Sequence, residues 1–535
     1  MNREFETSVV VEDFMSGKNR LKPRRNKKSN VPKAAADKGR LGSRGTVAGA
    51  EAQVPGRTSP VERAKDAVAV ATPVAPGEIV TADIHGLGHT GEGVGRTQDG
   101  YTLFIDGALP DERVRAEVTY VKKQYGYARL LEILQPSPDR VTPPCPLFDE
   151  CGGCQLQHLS YGGQLRRKRQ MVIDAFERIG KLQVAGSSGQ ADGIVVHPTI
   201  GMGEPWRYRN KAQVPIGERD GRLIGGFYAQ GTHRIIDMEA CLIQHEAGDA
   251  VVSAVKRIAG ELGIRAYDEE RHRGLLRHVV VKVGFRTGEI MVVLVTNGED
   301  IPHRDELVAL IREEVPGVKS IVQNINTART NVIFGERTRV LWGEEYIHDY
   351  IGDIRFAISA RSFFQVNPVQ TEVLYGKALE YARLTGRETV IDAYCGIGTI
   401  SLFLARHAEQ VYGVEIVPDA IADAKRNAEL NDLSHKVTFA VGKAEEVIPA
   451  WAEQGVRADV IVVDPPRKGC DPALLATMAD MRPERIVYVS CNPATLARDL
   501  RILEDAGYRT VEATPVDMFP HSVHVECIVS THFTG

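Results

Sequence analysis

The spacing of apolar and polar residues changes along the chain, and each change indicates a different kind of structure. Between about residues 77 and 135, apolar and polar positions alternate in short runs such as 80–84 and 101–105. Regular short strands of this kind predict a small closed barrel of the oligonucleotide-binding (OB) type. From about residue 354 onward, apolar runs of strand length alternate with stretches of helix length. This order predicts a doubly wound, mostly parallel α/β sheet of the Rossmann-like kind.

The residues outside these two patterns complete the domain organisation. Residues 18–44 hold eleven Lys or Arg against one acid, Asp37, which predicts a disordered basic tail. Such an arm is either solvated and inert, or it gains affinity for RNA through phosphate contacts. The expected regions are a basic tail (1–72), an OB-like barrel (73–136), a mixed α/β central domain (137–350) and a doubly wound α/β domain (351–535). Part of 158–184, within the central domain, is expected to pack on the last domain.

The composition excludes several classes of protein. The chain is 43% hydrophobic, enough for several cores, and its net charge of −4 suggests neither a DNA-coating protein nor an acidic tail. No apolar run reaches the length of about 18 residues that predicts a membrane span, and no secretory leader is evident. The uneven spread of the cysteines is typical of metal or catalytic sites in a reducing cytosol. We therefore expect a cytoplasmic monomer with no membrane partner.

Three cysteines crowd into one short segment. Cys145, Cys151 and Cys154 lie within ten residues, and two glycines precede the third. A tetrahedral metal site needs a fourth thiolate, for which Cys241 is the best candidate. Four thiolates suit either zinc or an iron–sulfur cluster, and their spacing does not choose between the two. Because no redox motif accompanies these cysteines, the metal group is expected to have a structural role, in which it links two otherwise separate sets of strands.

Cations alternate with aromatic residues at two places, as they do on surfaces that stack RNA bases. Lys122, Lys123, Tyr125 and Tyr127 lie in the predicted barrel, and the run Trp-Arg-Tyr-Arg-Asn-Lys at 206–211 lies in the central domain. A barrel without a ligand and an exposed strand face are the plainer interpretations. An RNA partner is therefore a hypothesis that these two runs raise but do not decide.

A glycine turn and an acid at neighbouring strand ends predict a site for a nucleoside cofactor. Gly396 and Gly398 follow the predicted strand 389–394, and Glu415 ends the next strand, where a carboxylate can bind both hydroxyls of a ribose. A dinucleotide site needs a further Gly or Ala where Ser401 stands, and no dehydrogenase base is evident. S-adenosylmethionine is therefore the better-fitting cofactor.

Two further strand ends carry reactive side chains. The predicted strand 485–489 runs into Ser-Cys-Asn-Pro at 490–493, where the proline prevents the strand from continuing. Asp464 ends the strand before it. Open α/β sheets bind ligands at the carboxyl ends of their strands, so we interpret Cys491 as a nucleophile and Asp464 as facing the same cleft. A small buried hydrophobe and a capping carboxylate are the alternatives.

Together these motifs resemble the RNA uracil-5-methyltransferases, over about residues 77–535. The barrel resembles a TRAM domain, a module attached to RNA-modifying enzymes. With that barrel and four cysteines the chain is similar to the branch that acts on 23S rRNA, because the tRNA branch usually lacks both additions. The other motifs that carry the resemblance are Asp392-x-Tyr394-Cys395-Gly396-x-Gly398-Thr399, Asp464-Pro465-Pro466-Arg467, Ser490-Cys491-Asn492-Pro493 and Phe519-Pro520-His521-x3-Val525-Glu526.

The resemblance implies a reaction and a role for each matching residue. A methyl group would pass from S-adenosylmethionine to carbon 5 of a uridine in 23S rRNA, with Cys491 adding to carbon 6 as the nucleophile and Glu526 removing the carbon 5 proton as the general base. A tRNA methyltransferase and a non-catalytic RNA-binding or assembly factor are the alternatives. The residues implied to line the cofactor site are Gln365, Tyr394, Glu415 and Asp464, and those implied to hold a [4Fe-4S] cluster are Cys145, Cys151, Cys154 and Cys241.

Overall fold

A computed structural model describes residues 73–186 and 192–535. The predicted basic tail (1–72) lies outside these described residues. The described parts of the chain form a closed barrel, a six-stranded sheet, a two-stranded sheet and an eight-stranded sheet. Within these parts, no helix combines the length and the apolar character needed to cross a membrane.

The first sheet is the predicted five-stranded barrel. Its strands are β1 (Ile79–Leu87), β2 (Gly93–Arg96), β3 (Thr102–Asp106), β4 (Arg113–Val121) and β5 (Tyr125–Gln135). The barrel closes in the order β1-β2-β3-β5-β4. Leu103 and Ile105 point inward and are fully buried, so the period-two pattern fills the interior. A Cβ at Gly126 would lie 2.8 Å from the carbonyl oxygen of Tyr120, so glycine allows β5 to approach β4 this closely.

The central region is a six-stranded sheet with two helices on one face. The elements after the barrel are α1 (Tyr161–Arg178), β6 (Val195–Val196), β7 (Lys211–Arg219), β8 (Arg222–Gly225), α2 (Glu246–Glu261), β9 (Leu276–Val283), β10 (Ile290–Thr296), α3 (Arg304–Glu314), β11 (Val318–Ile325) and β12 (Arg337–Gly343). The sheet order is β12-β11-β10-β9-β7-β8. Val292 and Leu294 of β10 pack with α2 and α3, whereas Met291 and Val293 pack with the C-terminal region. Both faces of β10 are therefore covered, which explains its unbroken apolar sequence.

The C-terminal region is the predicted doubly wound sheet. Its elements are β13 (Ile347–Ile351), β14 (Ile354–Ile358), α4 (Pro368–Ala382), β15 (Thr389–Ala393), α5 (Thr399–Ala405), β16 (Gln410–Glu415), α6 (Pro418–Leu430), β17 (Val437–Val441), α7 (Ala444–Glu453), β18 (Val460–Val463), α8 (Pro472–Met481), β19 (Arg485–Ser490), α9 (Pro493–Asp505), β20 (Tyr508–Val516) and β21 (Glu526–Phe533). The sheet order is β17-β16-β15-β18-β19-β21-β20-β6. The strands from β17 to β19 are parallel, and β21 runs antiparallel to both β19 and β20.

Two elements that precede the central sheet belong to the C-terminal layer. Strand β6 pairs with β20 at the edge of the large sheet. Val172 and Phe176 of α1 are fully buried, in one core with Leu496 and Leu500 of α9. Residues that precede the central sheet in sequence, those of α1 and β6, therefore pack with the C-terminal sheet in space. The domain boundaries given above stay predictions, since the layers share buried residues.

Candidate active site

The turn between β15 and α5 leaves open space beside its backbone. Gly396 has a φ of 54°, and a Cβ there would meet no atom within 4 Å. Tyr394 has a φ of 69°, which is unusual for a residue with a side chain. The backbone N–H of Gly396 donates to one carboxylate oxygen of Glu415 at 3.3 Å, and that of Val417 donates to the other at 3.0 Å. A ligand can therefore approach the turn closely, beside a carboxylate fixed by two backbone donors.

Gln365 reaches the same turn from the segment before α4. Its side chain interacts with the hydroxyl of Tyr375, and that hydroxyl lies 2.9 Å from Oγ1 of Thr399, the first residue of α5. Its backbone oxygen accepts from Nδ2 of Asn210 at 2.9 Å, which ties the segment to the central region. The structure therefore brings three predicted cofactor residues, Gln365, Tyr394 and Glu415, to one short turn.

Asp392, at the end of β15 before the turn, is a buried carboxylate with one oxygen that accepts no hydrogen bond from the described residues. Asp392 accepts from the hydroxyl of Ser401 at 2.5 Å through Oδ2, while Oδ1 has no partner among the described residues. Burial raises the pKa of Asp392 to about 7, against the opposing effect of the Ser401 hydrogen bond. The open side of Gly396, the fixed Glu415 and this free acceptor fit a cationic nucleoside such as S-adenosylmethionine.

Cys491 and Glu526 lie at the same end of two neighbouring strands. The antiparallel register of β19 and β21 ends with the pair Ser490 and Cys527; Cys491 directly follows Ser490, and Glu526 directly precedes Cys527. The charge of Glu526 raises the pKa of the Cys491 thiol, in keeping with this closeness. Cys491 is half-buried and Glu526 is buried. The predicted nucleophile and the predicted base therefore share one end of the sheet.

Asp464 joins this pair from the end of β18. Burial raises the pKa of Glu526 above its ordinary value, and the negative charge of Asp464 raises it further. Burial likewise raises the pKa of Asp464. Burial is also the main cause of the raised pKa of the Cys491 thiol, followed by the charges of Glu526 and Asp464. These electrostatic effects indicate that the thiol and both carboxyl groups lie near one another.

Arg467 and His524 are candidate site residues to which the sequence analysis assigned no role. Nδ2 of Asn492 and Oγ1 of Thr495 donate to the backbone oxygen of Arg467 at 3.0 and 3.1 Å. Its guanidinium lies 3.1 Å from Nδ1 of His524, whose pKa burial and Arg467 together lower to about 3. His524 is thus a neutral acceptor, and Arg467 opposes the rise in the pKa of Cys491. The Asp-Pro-Pro-Arg motif was the available signal for this cation.

The four predicted cluster cysteines come together from two parts of the chain. Cys151 and Cys241 both border a small buried cluster that contains Phe227 and Met238. Burial and, to a smaller extent, the charges of the three other cysteines, with Cys241 foremost, together raise the pKa of the Cys154 thiol to about 12. The donor set therefore fits a thiolate-bound metal group in its chemistry. Among the described residues, however, no three His, Cys, Asp or Glu side chains form a group arranged to hold a metal ion.

The two predicted RNA-stacking runs differ in the structure. On the barrel, Tyr120 and Tyr127 are 53% and 39% exposed, and Lys122 lies 4.8 Å from the ring centre of Tyr125. In the central run, by contrast, Tyr208 is buried and donates to the backbone oxygen of Pro520 at 3.1 Å. The barrel run therefore presents aromatic rings to solvent, whereas Tyr208 has a structural role inside the protein.

A doubly wound sheet with an open glycine turn, an acid at the end of the neighbouring strand and a cysteine two strands away is typical of a methyltransferase that uses S-adenosylmethionine. Comparison with known families supports this class and narrows it. The tRNA (uracil-5-)-methyltransferase family matches residues 318–532, and the TRAM domain family matches residues 73–131. The chain belongs to the RNA uracil-5-methyltransferase family, in the group that carries a TRAM domain, as its relatives also indicate.

Those relatives are bacterial and archaeal. An uncharacterized RNA methyltransferase of Halalkalibacterium halodurans is 64% identical over 85% of this chain and 97% of its own length. An uncharacterized RNA methyltransferase of Clostridium tetani is 51% identical over 84% of this chain and 96% of its own length. The crystal structure of the Pyrococcus abyssi tRNA (uracil-54, C5)-methyltransferase with S-adenosyl-L-homocysteine is 29% identical over 84% of this chain and all of that chain, with a TM-score of 0.66. The fold, the TRAM barrel and the methyl donor predicted from the sequence are thereby confirmed.

Proposed function

We propose that this enzyme methylates carbon 5 of a uridine in 23S rRNA through a covalent bond between Cys491 and carbon 6. The observation that carries the proposal is the register of β19 and β21, which brings Cys491 and Glu526 to the same end of two paired strands. Carbon 5 of uracil is a poor nucleophile, so a thiolate must add to carbon 6 before carbon 5 can attack a methyl group. The product re-forms only when a base removes the proton from carbon 5.

Each step has a residue of this chain to perform it. The thiol proton of Cys491 passes by way of a neighbouring carboxylate, Asp464 or Glu526, to solvent, so that Glu526 is ionised for the last step. Arg467 stabilises the thiolate. The sulfur then adds to carbon 6, which leaves carbon 5 electron-rich. S-adenosylmethionine, when bound at the Gly396 turn, supplies an electrophilic methyl group. Glu526 finally takes the proton from carbon 5, the sulfur–carbon bond breaks and the thiolate leaves.

Two substitutions test this mechanism. Cys491→Ala should abolish methylation and leave the binding of S-adenosylmethionine unchanged, because the thiol does not form the cofactor turn. Glu526→Gln should accumulate a covalent RNA–protein adduct that survives a denaturing gel, because the amide cannot remove the proton. Full activity in Cys491→Ala would refute the covalent mechanism. An inactive parent protein that binds RNA and cofactor would instead favour a non-catalytic RNA-binding or assembly factor.

The choice of 23S rRNA rests on the TRAM barrel and the four cysteines. A tRNA substrate is the second candidate, because the Pyrococcus abyssi enzyme acts on tRNA uracil 54. Its match covers 84% of this chain, which is more than residues 137–535 make up, so the match also includes residues before position 137. Mapping of 5-methyluridine in rRNA and tRNA from cells with and without this protein distinguishes the two. Loss of the modified base from tRNA alone would reverse the assignment.

We also propose that Cys145, Cys151, Cys154 and Cys241 hold a [4Fe-4S] cluster. The proposal is supported by the raised pKa of the Cys154 thiol, to which the charges of the three other cysteines contribute, and by the shared contact of Cys151 and Cys241 with one apolar cluster. A bound metal would favour the thiolate form of these cysteines and so offset the cost of burying a thiolate charge. Anaerobic purification should give a brown protein with about four iron atoms per chain. One zinc atom and no iron would identify the alternative metal site.

A further inference from the structure

The loop between β20 and β21 (residues 517–525) leads directly into Glu526, and helix α1 holds it. Lys168 donates to Oδ1 of Asp517 at 2.5 Å and to the backbone oxygen of Phe519 at 3.0 Å, and both side chains of this ion pair are fully buried. One turn earlier, the side-chain oxygen of Gln164 accepts from the N–H of His521 at 2.9 Å. Residues four apart lie on one face of a helix, so α1 grips the loop at two successive points.

Gln164 also binds the cysteine segment (residues 151–156) and the residues that follow it. Its Nε2 donates to the backbone oxygens of Leu156 and Leu159 at 3.1 and 2.9 Å. The same nitrogen lies 3.2 Å from Nδ1 of His521. The N–H groups of Gln155 and Leu156 in turn donate to the backbone oxygen of His521 at 3.0 and 2.9 Å. One buried amide thus joins the 517–525 loop to the segment that contains Cys151 and Cys154.

The side-chain amide of Gln164 binds two segments of the chain. Among the residues that the structure describes, its hydrogen bonds reach only the 517–525 loop and residues 156–159, and Gln164 is 1% exposed. The loop is closed on its other side by the contact of Arg467 with His524, two residues before Glu526. Because Glu526 directly follows this loop, whereas Cys491 follows β19, a shift of the loop would move Glu526 more than Cys491.

We propose that Gln164, together with Lys168, is a positioning residue that sets where Glu526 meets the methylated uracil and that links this base to the cysteine segment. The inference rests on the proposed function, in which Glu526 completes the reaction. Loss of the Gln164 contacts slows the removal of the carbon 5 proton more than it slows the addition of Cys491. The covalent adduct then accumulates, which a merely destabilised protein does not do.

The test compares Gln164→Met with Gln170→Met, the same change at an exposed glutamine of α1 whose amide donates to Asp174. Gln164→Met should lower kcat by about ten- to a hundredfold, as expected for a base displaced by about 1 Å, with KM within about twofold of the parent. It should also show the adduct on a denaturing gel and faster hydrogen exchange in residues 517–525. Gln170→Met should match the parent in all of these measurements.

Glu526→Gln serves as the reference for the adduct. If Glu526→Gln accumulates adduct while Gln164→Met gives none and exchanges like the parent, the positioning role is wrong and the proposed mechanism stands. If Glu526→Gln forms no adduct, the proposed mechanism fails and this inference falls with it. Should Gln164→Met not fold, Gln164→Glu keeps the oxygen that accepts from His521, and exchange in residues 517–525 then decides: parental exchange overturns the inference.

Discussion

The exposed aromatic residues of the barrel offer the sharpest test of how this enzyme binds RNA. The ring of Tyr127 lies 5.6 Å from Phe104 and 6.5 Å from Tyr120, and Lys122 lies beside them. Stacking of one base on such a ring contributes about 1–3 kcal/mol. Tyr127→Ala should therefore weaken the binding of a single-stranded rRNA fragment by about 5- to 150-fold.

The assay is fluorescence anisotropy with a labelled fragment, at several salt concentrations. Because Tyr127→Ala removes no charge, the salt dependence of Kd should keep the slope of the parent while the whole line shifts. Tyr346→Ala is the control, since that tyrosine is outside the barrel strands and its ring lies 4.4 Å from the guanidinium of Arg426 in α6. An unchanged Kd for Tyr127→Ala, with Tm preserved, would show that the barrel rings do not stack RNA bases.

Three further predictions concern the cofactor, stability and pH. Gly396→Ala should weaken the binding of S-adenosylmethionine at least about tenfold by calorimetry, whereas Gly386→Ala, which also has positive φ and open space, should not. Lys168→Met leaves a carboxylate buried without its cation and should lower the free energy of unfolding by about 3–5 kcal/mol in denaturant titrations. Because burial and the charge of Asp464 raise the pKa of Glu526, kcat should rise with pH through a pKa above that of an ordinary glutamate, and Asp464→Asn should shift this rise to lower pH.

Local patterns were enough to predict the elements that build the cofactor turn. The apolar runs before Gly396 and before Cys491 end as strands β15 and β19, within a residue of where the sequence indicated. Burial on both faces makes such strands uniformly apolar, and glycine or proline marks their ends. The barrel strands could be predicted equally well, because one face of each strand is buried and its apolar and polar residues therefore alternate.

Long-range pairing could not be predicted in this way. Nothing in the local sequence shows that β21 inserts between β19 and β20, or that β6, over three hundred residues earlier, pairs with β20. Packing of part of residues 158–184 on the last domain was expected, but the pairing of Lys168 with Asp517 was hidden for the same reason. A basic helix normally faces solvent, whereas Lys168 is fully buried. Composition indicates that such a lysine must find a partner if it is buried, but it does not say where.

The antiparallel strand explains how a cofactor site becomes a site for uracil chemistry. Parallel strands bring only their carboxyl ends to the ligand edge, and β15, β16, β18 and β19 do so with the Gly396 turn, Glu415, Asp464 and Cys491. Because β21 runs the other way, its first residue, Glu526, arrives at the same edge. In the proposed mechanism, addition and proton removal act on adjacent carbons of one ring, so the groups that perform them must lie side by side. A single reversed strand meets that need, and a one-residue slip in its register would turn Glu526 to the opposite face of the sheet.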